Sequence, residues 1–451
     1  MRVLHSTTQH GTALSILLIK SYIFIGILGN LIPLTSALKS IRFYHLLLPV
    51  IVVYFLRRKL RIQEFKIIIV TFPLVLYLLI SAIYASYVDS ESIPAFSAQN
   101  PLIRFALLYF LFISTVLISS DINRKTIDFK FDLILLYLKG FLITAVVGIF
   151  FFVGYYVHLL SVDFILKFQV QVQFGAGGLL RISPGSYPNE YGTVSSFALS
   201  VITLLFINKK QLLRERILFI TRTQTAFYVM CWILSITVLF LATTRSAYIS
   251  FVLSLIFISY TQKARSKKVN TLLKMIALFV IVYVIVQRFL YDIKSIFVSG
   301  FNSFVELDGS TGSRIEAWMS NLKYFSDNPM FGVGFGRLLD THNYYLQLLC
   351  EIGLTGLILF AITFVIIRNI HLGKKSIIEA PQTIKYELLS KVKSLAILHV
   401  LWFATNNHNL NHHLTWFCVM LILISTPMPK RSYNEMSICN TKTKGGEMYA
   451  G

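Results

Sequence analysis

The sequence predicts an all-α, polytopic integral membrane protein with about 12 transmembrane helices and two longer extracytoplasmic loops. Of its 451 residues, 55% are hydrophobic and 14% are charged, which leaves too little polar surface for a soluble domain of this size. The hydrophobic residues fall in blocks of about 20, the length that crosses a bilayer as a helix. The alternation typical of barrel strands is absent, and a helix satisfies its own backbone groups in lipid.

Apolar blocks define the predicted spans in chain order. The eleventh block is short and ends in polar residues, so it is the weakest span signal. The spans are predicted near 12–33, 41–56, 66–88, 102–120, 133–158, 191–207, 225–243, 246–260, 272–290, 343–367, 394–405 and 414–427.

The basic residues indicate orientation rather than a nucleic-acid partner. The formal net charge is +22, but Lys and Arg cluster in short loops between the apolar blocks. With Met1 in the cytoplasm, the cytoplasmic side receives 29 of the 42 Lys and Arg residues and the outer side receives 11. This asymmetry is the positive-inside pattern, and it predicts that both termini are cytoplasmic.

The orientation divides the chain into six segments and places two long loops on the outer face. No glycine-rich phosphate loop or dinucleotide fingerprint occurs in the cytoplasmic loops, so chemistry is expected outside, without ATP or a sugar nucleotide. The segments are N-terminal helices 1–158, a first outer loop 159–190, central helices 191–290, a candidate catalytic outer loop 291–341, C-terminal helices 342–428 and a cytoplasmic tail 429–451.

The second outer loop contains a predicted surface helix. Ser313 to Glu316 reads S-x-x-E, a capping box that opens a helix. Arg314 lies in its first turn, where it either snorkels to lipid headgroups or faces a ligand. Spacings of three and four residues give this helix one apolar face, made by Ile315, Trp318, Leu322 and Phe325.

A glycine-rich turn then leads to a histidine at the start of the tenth span. Glycines between Gly332 and Gly336 are more typical of a tight loop than of a phosphate site. Asp340 or Thr341 is expected to cap the span, which puts His342 at a helix N-terminus. The positive end of the helix dipole favours a neutral ring, able to accept a proton, and attracts phosphate. The alternative is a boundary histidine in contact with headgroups.

Three further residues extend this picture. Arg245, in TTRSAY, lies in a tight turn on the outer face, and Arg181 precedes the sixth span in LLRISPGSYPNEYG. Several guanidinium groups at a low-dielectric boundary match a diphosphate well. Glu351 is nine residues past His342, on the opposite face of the helix, and is expected to pack against a neighbouring helix through hydrogen bonds.

Together these motifs resemble the O-antigen ligase and polymerase superfamily over roughly 180–360. They are the arginine before PNEYG, TTRSAYISF, the R-x-x-x-W of Arg314 and Trp318, NPMFGVGFG, and HNYYLQLLCEIGLTG. The resemblance implies a lipid-donor glycosyltransferase of the GT-C-like class that needs no cofactor and no metal. It also implies catalytic roles for His342, Arg314 and Arg245, and substrate-binding roles for Arg181, Asn343, Trp318 and Asn189. The short loop around Arg314 leaves the branch of the superfamily open.

Two other patterns favour no metal site. Glu306-Leu307-Asp308 resembles an acidic metal-binding pair, but its glycine-containing loop favours solvation. NNHNLNHH places His408 and His412 one helical turn apart, yet a third ligand is missing. We interpret it as an outer polar turn, and its histidines, including His413, are candidates for contact with an acceptor sugar.

The sequence-based hypotheses follow from the resemblance. The first is polymerisation of polyprenyl-diphosphate-linked oligosaccharide repeat units in the bacterial inner membrane, with membrane lipid and a chain-length regulator protein as further partners. The second is ligation of finished glycan to a lipid A core or a protein. A third, a flippase for lipid-linked sugars, ranks below both, because a transporter places ionisable groups or broken helices near the membrane midplane.

Overall fold

A computed structural model of the chain describes a predominantly helical protein, which confirms the all-α prediction. Some helical residues are described by their backbone alone. The described residues are 2–28, 42–58, 62–87, 100–168, 173–174, 180–184, 187–214, 222–242, 244–261, 310–338, 342–372, 384–406 and 412–425.

Within the described residues, helices follow one another along the chain, and a minimal strand pair precedes α7. Strands β1 (Gln173–Phe174) and β2 (Leu180–Arg181) are antiparallel, with Gln173 opposite Arg181. The helices are α1 (Arg2–Leu28), α2 (Phe43–Arg57), α3 (Ile62–Tyr87), α4 (Pro101–Ile122), α5 (Ile127–Tyr156), α6 (Val162–Leu166), α7 (Pro188–Ile207), α8 (Lys209–Arg214), α9 (Arg222–Leu241), α10 (Arg245–Thr261), α11 (Ser310–Asp327), α12 (Tyr344–Leu372), α13 (Ile384–Asn406) and α14 (His413–Leu423).

Each predicted span that falls on described residues overlaps one of these helices, with differences at the ends. Six helices in the described part of the chain are long and apolar enough to cross a membrane, and shorter apolar helices accompany them. The ninth predicted span, 272–290, lies outside the described residues. The predicted start of the eleventh span at 394 is wrong, because α13 begins at Ile384. Three lysines near the N-terminal end of this helix lower the local hydropathy, so the apolar block is shorter than the helix: Lys385, Lys391 and Lys393.

Helix α7 is the centre of the bundle. Its most apolar stretch is 94% buried, and it packs against α5, α9, α10 and α13. Buried hydroxyl side chains on α7 bond back to carbonyls one turn earlier, as Ser195 does to Tyr191 and Ser200 does to Ser196. These small side chains satisfy their own polar groups and allow close helix packing.

Two groups of paired ionisable residues lie at opposite ends of α2. At its C-terminal end, Arg58 contacts Asp121 at 2.6 Å and Glu64 at 2.9 Å. At its N-terminal end, Arg42 contacts Glu190 at 2.9 Å. The helix between them spans about 22 Å at 1.5 Å per residue. The two groups therefore lie about one helix length apart, and Arg181 and Asn189 lie near the Arg42 end, beside Glu190.

Candidate active site

The guanidinium of Arg181 joins the starts of α7 and α10. Its Nη2 donates to Asn189 Oδ1 at 3.0 Å and to Thr244 Oγ1 at 3.4 Å, and its Nε donates to the Ala242 carbonyl at 3.2 Å. Thr244 in turn donates to the Pro188 carbonyl at 3.0 Å. The structure thus brings Arg181 and Asn189 together beside the turn that precedes Arg245. The backbone of Arg245 opens α10, while its side chain lies outside what the structure describes.

The end of α13 connects that turn to the start of α12. Trp402 Nε1 donates to the Ser246 carbonyl at 2.7 Å. One residue earlier on α13, the Leu401 carbonyl accepts from the Tyr345 hydroxyl at 3.3 Å. Ser246 follows Arg245, and Tyr345 lies three residues past His342. These two residues therefore contact adjacent residues of α13.

His342 lies just before α12 in an unusual backbone conformation. Its φ is 47°, in the left-handed region. That region costs an L-residue roughly 1–2 kcal/mol and persists only where the surroundings enforce it. Asp340 and Thr341, the predicted caps of the tenth span, lie outside the described residues. Asn343 caps α12, its Oδ1 accepting from Leu346 N at 3.1 Å. His342 thus lies one residue outside the helix, and it is half-buried.

Arg314 and Trp318 are half-buried and one turn apart on α11, the predicted surface helix. The predicted capping box at Ser313 is wrong, because α11 begins at Ser310 and Ser313 already lies within the helix. The four residues of the predicted apolar face differ in their exposure. Trp318 and Phe325 are half-buried, whereas Ile315 is 37% exposed. Leu322 is also exposed on the described surface, as expected for a helix that lies against lipid.

Two contacts hold α11 and the turn that follows it against α12. Cys350 Sγ donates to the Asn321 carbonyl of α11 at 3.1 Å, and the Pro329 carbonyl, two residues past the end of α11, accepts from Leu354 N at 2.9 Å. Arg314 lies seven residues before Asn321, about 10 Å back along α11.

The glycine-rich turn packs into a break in α12. Gly353 interrupts the helix with φ 62° and ψ −172°. Val333 N donates to the Cys350 carbonyl at 2.9 Å, and Gly334 N donates to the Glu351 carbonyl at 3.0 Å. These amides are thus occupied by α12, which confirms the tight-loop interpretation over a phosphate cradle. The hydrogen-bonding prediction for Glu351 is also confirmed, since Arg104 of α4 donates to it at 2.9 Å.

Gly332→Ala is expected to destabilise the protein by more than about 2 kcal/mol. Gly332 has φ 72°, and an added Cβ would lie 2.5 Å from the backbone carbonyl of Glu351. Thermal unfolding in lipid nanodiscs measures the loss. Gly140→Ala is the matched control, because its Cβ would meet the Ile27 side chain at 3.2 Å without backbone strain. Equal melting temperatures for the two variants would contradict the packing argument.

A buried ion pair lies beside Arg181, and none of the sequence motifs predicted it. Arg42 at the start of α2 contacts Glu190 of α7, with side chains 8% and 2% exposed. His412, just before α14, lies 3.8 Å from the same Glu190 oxygen. Burial lowers the pKa of His412 to about 4, against the opposing effect of Glu190. Its ring is therefore neutral at pH 7, and the ion pair is Arg42 with Glu190. The signal that could have found the pair was an acidic residue at a span boundary, in PNEYG.

Several helix N-termini converge at this end of the bundle. The Arg42, Glu190 and His412 contacts bring together the starts of α2, α7 and α14. The contacts of Thr244 and of the α13 end add the starts of α10 and α12. Each N-terminus carries a partial positive charge and unsatisfied amide groups. Arg42 is neutralised by Glu190, so the positive charge here comes from Arg181 and the helix N-termini, an arrangement suited to an anionic ligand.

The two candidate metal-binding patterns lie partly or wholly outside the described residues. Glu306 and Asp308 lie outside the described residues, as does His408. His412 and His413 are 1% and 2% exposed, so both are buried rather than parts of an open polar turn. Among the described residues, no group of three His, Cys, Asp or Glu side chains could hold a metal ion.

Comparison with known proteins identifies a family for one part of the chain. A protein-family model described as O-antigen ligase matches residues 229–361. That range includes Arg245, Arg314 and His342, and it begins after Arg181 and Asn189. No curated protein matches the chain. Over residues 229–361 the chain is therefore similar to the O-antigen ligase family, in agreement with the resemblance found in its motifs.

Proposed function

We propose that the chain is a membrane glycosyltransferase that polymerises polyprenyl-diphosphate-linked oligosaccharide repeat units into O-antigen or a capsular or exopolysaccharide. The site faces the outer side of the bacterial inner membrane, and both termini are cytoplasmic. The observation that carries the proposal is the electropositive region where Arg181, the Arg245 turn and the His342–Asn343 segment meet the helix N-termini.

The lipid diphosphate is the leaving group of this reaction. Departure of a diphosphate concentrates negative charge, and fixed cations and amide dipoles stabilise that charge in a low-dielectric site. Arg245, Arg314 and Arg181 supply the cations, each through a planar fork that can bind two oxygens. Asn189, already hydrogen-bonded to Arg181 at 3.0 Å, holds that guanidinium and contacts the substrate.

His342 is the general base for the acceptor sugar. Its half-buried ring adjoins a helix N-terminus, where the dipole favours the neutral, proton-accepting form. Removal of the acceptor hydroxyl proton lets that oxygen attack the anomeric carbon from the side opposite the diphosphate, which inverts the configuration. Asn343 and Trp318 line the sugar-binding side, Trp318 through its ring face.

The ligase alternative is favoured by one specific observation, the O-antigen ligase description of the matching family model. A ligase uses the same lipid-linked donor and the same general base. It differs in its acceptor, which is a lipid A core or a protein rather than a second lipid-linked glycan.

Glycan profiles of a deletion strain test the proposal. For a polymerase we expect surface glycan of single repeat units, whereas uncapped core with lipid-linked polymer indicates a ligase. Complementation with Arg314→Ala is expected to leave the defect, because one diphosphate-binding guanidinium is lost. Lys323→Ala is the matched control, an exposed cation on the same helix, and it should restore the full profile. Normal glycan in the deletion strain would overturn both functions.

A further inference from the structure

Three buried side chains form hydrogen bonds with the backbone N–H and C=O of Leu338, four residues before His342. Leu338 N donates to Glu351 Oε1 at 3.0 Å. The Leu338 carbonyl accepts from Arg104 Nη1 at 3.4 Å and from Gln347 Nε2. Both polar groups of this residue are therefore bound by side chains, in a part of the loop that forms no regular secondary structure.

The three side chains also bind one another. Glu351 Oε1 accepts from Arg104 Nη1 and from Gln347 Nε2, both at 2.9 Å. The Arg104 and Glu351 side chains are 4% and 0% exposed, and the guanidinium lies 5.3 Å from the centre of the Phe335 ring. The arrangement is a buried network in which Glu351 Oε1 and the Leu338 carbonyl are shared acceptors, while Arg104 Nη2, Gln347 Oε1 and Glu351 Oε2 bond to none of the described residues. We call these three residues the Leu338 clamp: Arg104, Gln347 and Glu351.

A charge pair at this depth is costly compared with apolar side chains of the same size. Packing of α12 against its neighbours α3, α11 and α13 does not need it. The network instead does what apolar side chains cannot do, since it fixes the position of a loop peptide. Gln347 and Glu351 are one turn apart on the same face of α12, and α12 is the helix that His342 precedes.

His342 thus lies between two fixed points on α12. Leu338 is bound to the first two turns of the helix, and Asn343 is bound to the first turn as its cap. Leu338 and His342 are four residues apart in sequence, so the chain can extend no more than about 14 Å between them. The left-handed backbone of His342, with φ 47°, requires such enforcement.

We propose that the Leu338 clamp consists of positioning residues that set the place of His342 for proton abstraction from the acceptor. The inference rests on the proposed function, in which His342 is the base. The clamp residues act through the backbone and do not touch substrate.

Glu351→Gln tests the clamp in purified full-length protein in nanodiscs, with a polyprenyl-diphosphate-linked repeat unit as donor. We expect kcat to fall about 10–100-fold, because a displacement near 1 Å can cost two orders of magnitude. KM for the donor should change less than about threefold, because the diphosphate-binding residues remain in place. Hydrogen exchange in the peptide that contains Leu338 should accelerate. Gln347→Leu, which keeps the Arg104–Glu351 pair and so leaves no buried charge unpaired, should act in the same direction.

Glu64→Gln is the matched control. Glu64 is also a fully buried carboxylate paired with an arginine, Arg58 at 2.9 Å, but it lies at the opposite end of the bundle. It should lose stability with kcat unchanged. An equal fall of kcat in Glu64→Gln, or unchanged kcat and unchanged exchange at Leu338 in Glu351→Gln, would overturn the clamp.

The His342→Ala background separates the clamp from the proposed function. If the clamp acts through His342, adding Glu351→Gln to His342→Ala should lower residual activity less than about twofold. Multiplying losses would overturn the inference. Where residual activity is too low to measure, the kcat and exchange results of the single variants decide. Full activity of His342→Ala would refute the base assignment itself, whereas loss in His342→Ala with a normal Glu351→Gln refutes the clamp alone.

Discussion

His342→Ala is expected to lower the rate of glycan transfer by about 10²–10⁴-fold, the usual contribution of a general base. The protein should still fold, because His342 is half-buried and precedes α12 rather than lying in its core. Donor binding should persist, since the arginines that bind the diphosphate are unchanged. Polymer yield in cells and single-turnover transfer in nanodiscs measure the effect.

His158 offers a close control for this variant. It is also a non-glycine residue with positive φ, at 59°, and it is exposed just after the end of α5. His158→Ala imposes the same chemical change and a similar backbone effect, so any general consequence should be shared. A comparable loss of transfer in both variants would remove the case for His342 as the base.

Much of the fold followed from local sequence patterns. Blocks of apolar residues predict transmembrane helices because a lipid-facing helix must be apolar over most of its length. The same reasoning placed the start of α13 too late in the chain. Lys391 and Lys393 reduce the local hydropathy, although both residues belong to the helix. Lys391 instead bonds Glu387 one turn away on α13, at 2.6 Å.

The site was predictable only where motifs are contiguous. Arg245, Arg314 and His342 each lie in a recognisable stretch, and the alternation of loops and spans assigned them to one face. The buried partners are different, because Arg42 and Glu190 are 148 residues apart and no periodicity links them. The Asn343 cap was missed for another reason. Asp340, Thr341 and Asn343 all have capping side chains, and propensity does not choose among them.

Glu190→Ala should be the most destabilising of the single changes considered, at about 3–5 kcal/mol. It removes the partner of Arg42, whose guanidinium is buried where water cannot replace the carboxylate. Glu190 also accepts from the Tyr187 amide at 3.4 Å, within the first turn of α7, so the start of the central helix loosens as well. Thermal unfolding and the monodisperse fraction after purification measure the loss.

Replacing both members of the pair distinguishes a lost charge partner from lost packing. Arg42→Met with Glu190→Met removes both charges and should be more stable than Glu190→Ala, because no uncompensated charge remains buried. The pair of Lys391 and Glu387 is the control, because the Glu387 side chain is 54% exposed, and Glu387→Ala should cost less than about 1 kcal/mol. Because Glu190 adjoins Asn189, which holds Arg181, the double variant should regain stability without regaining full donor binding. If the double variant were as unstable as Glu190→Ala, shape at the start of α7 would matter more than charge pairing.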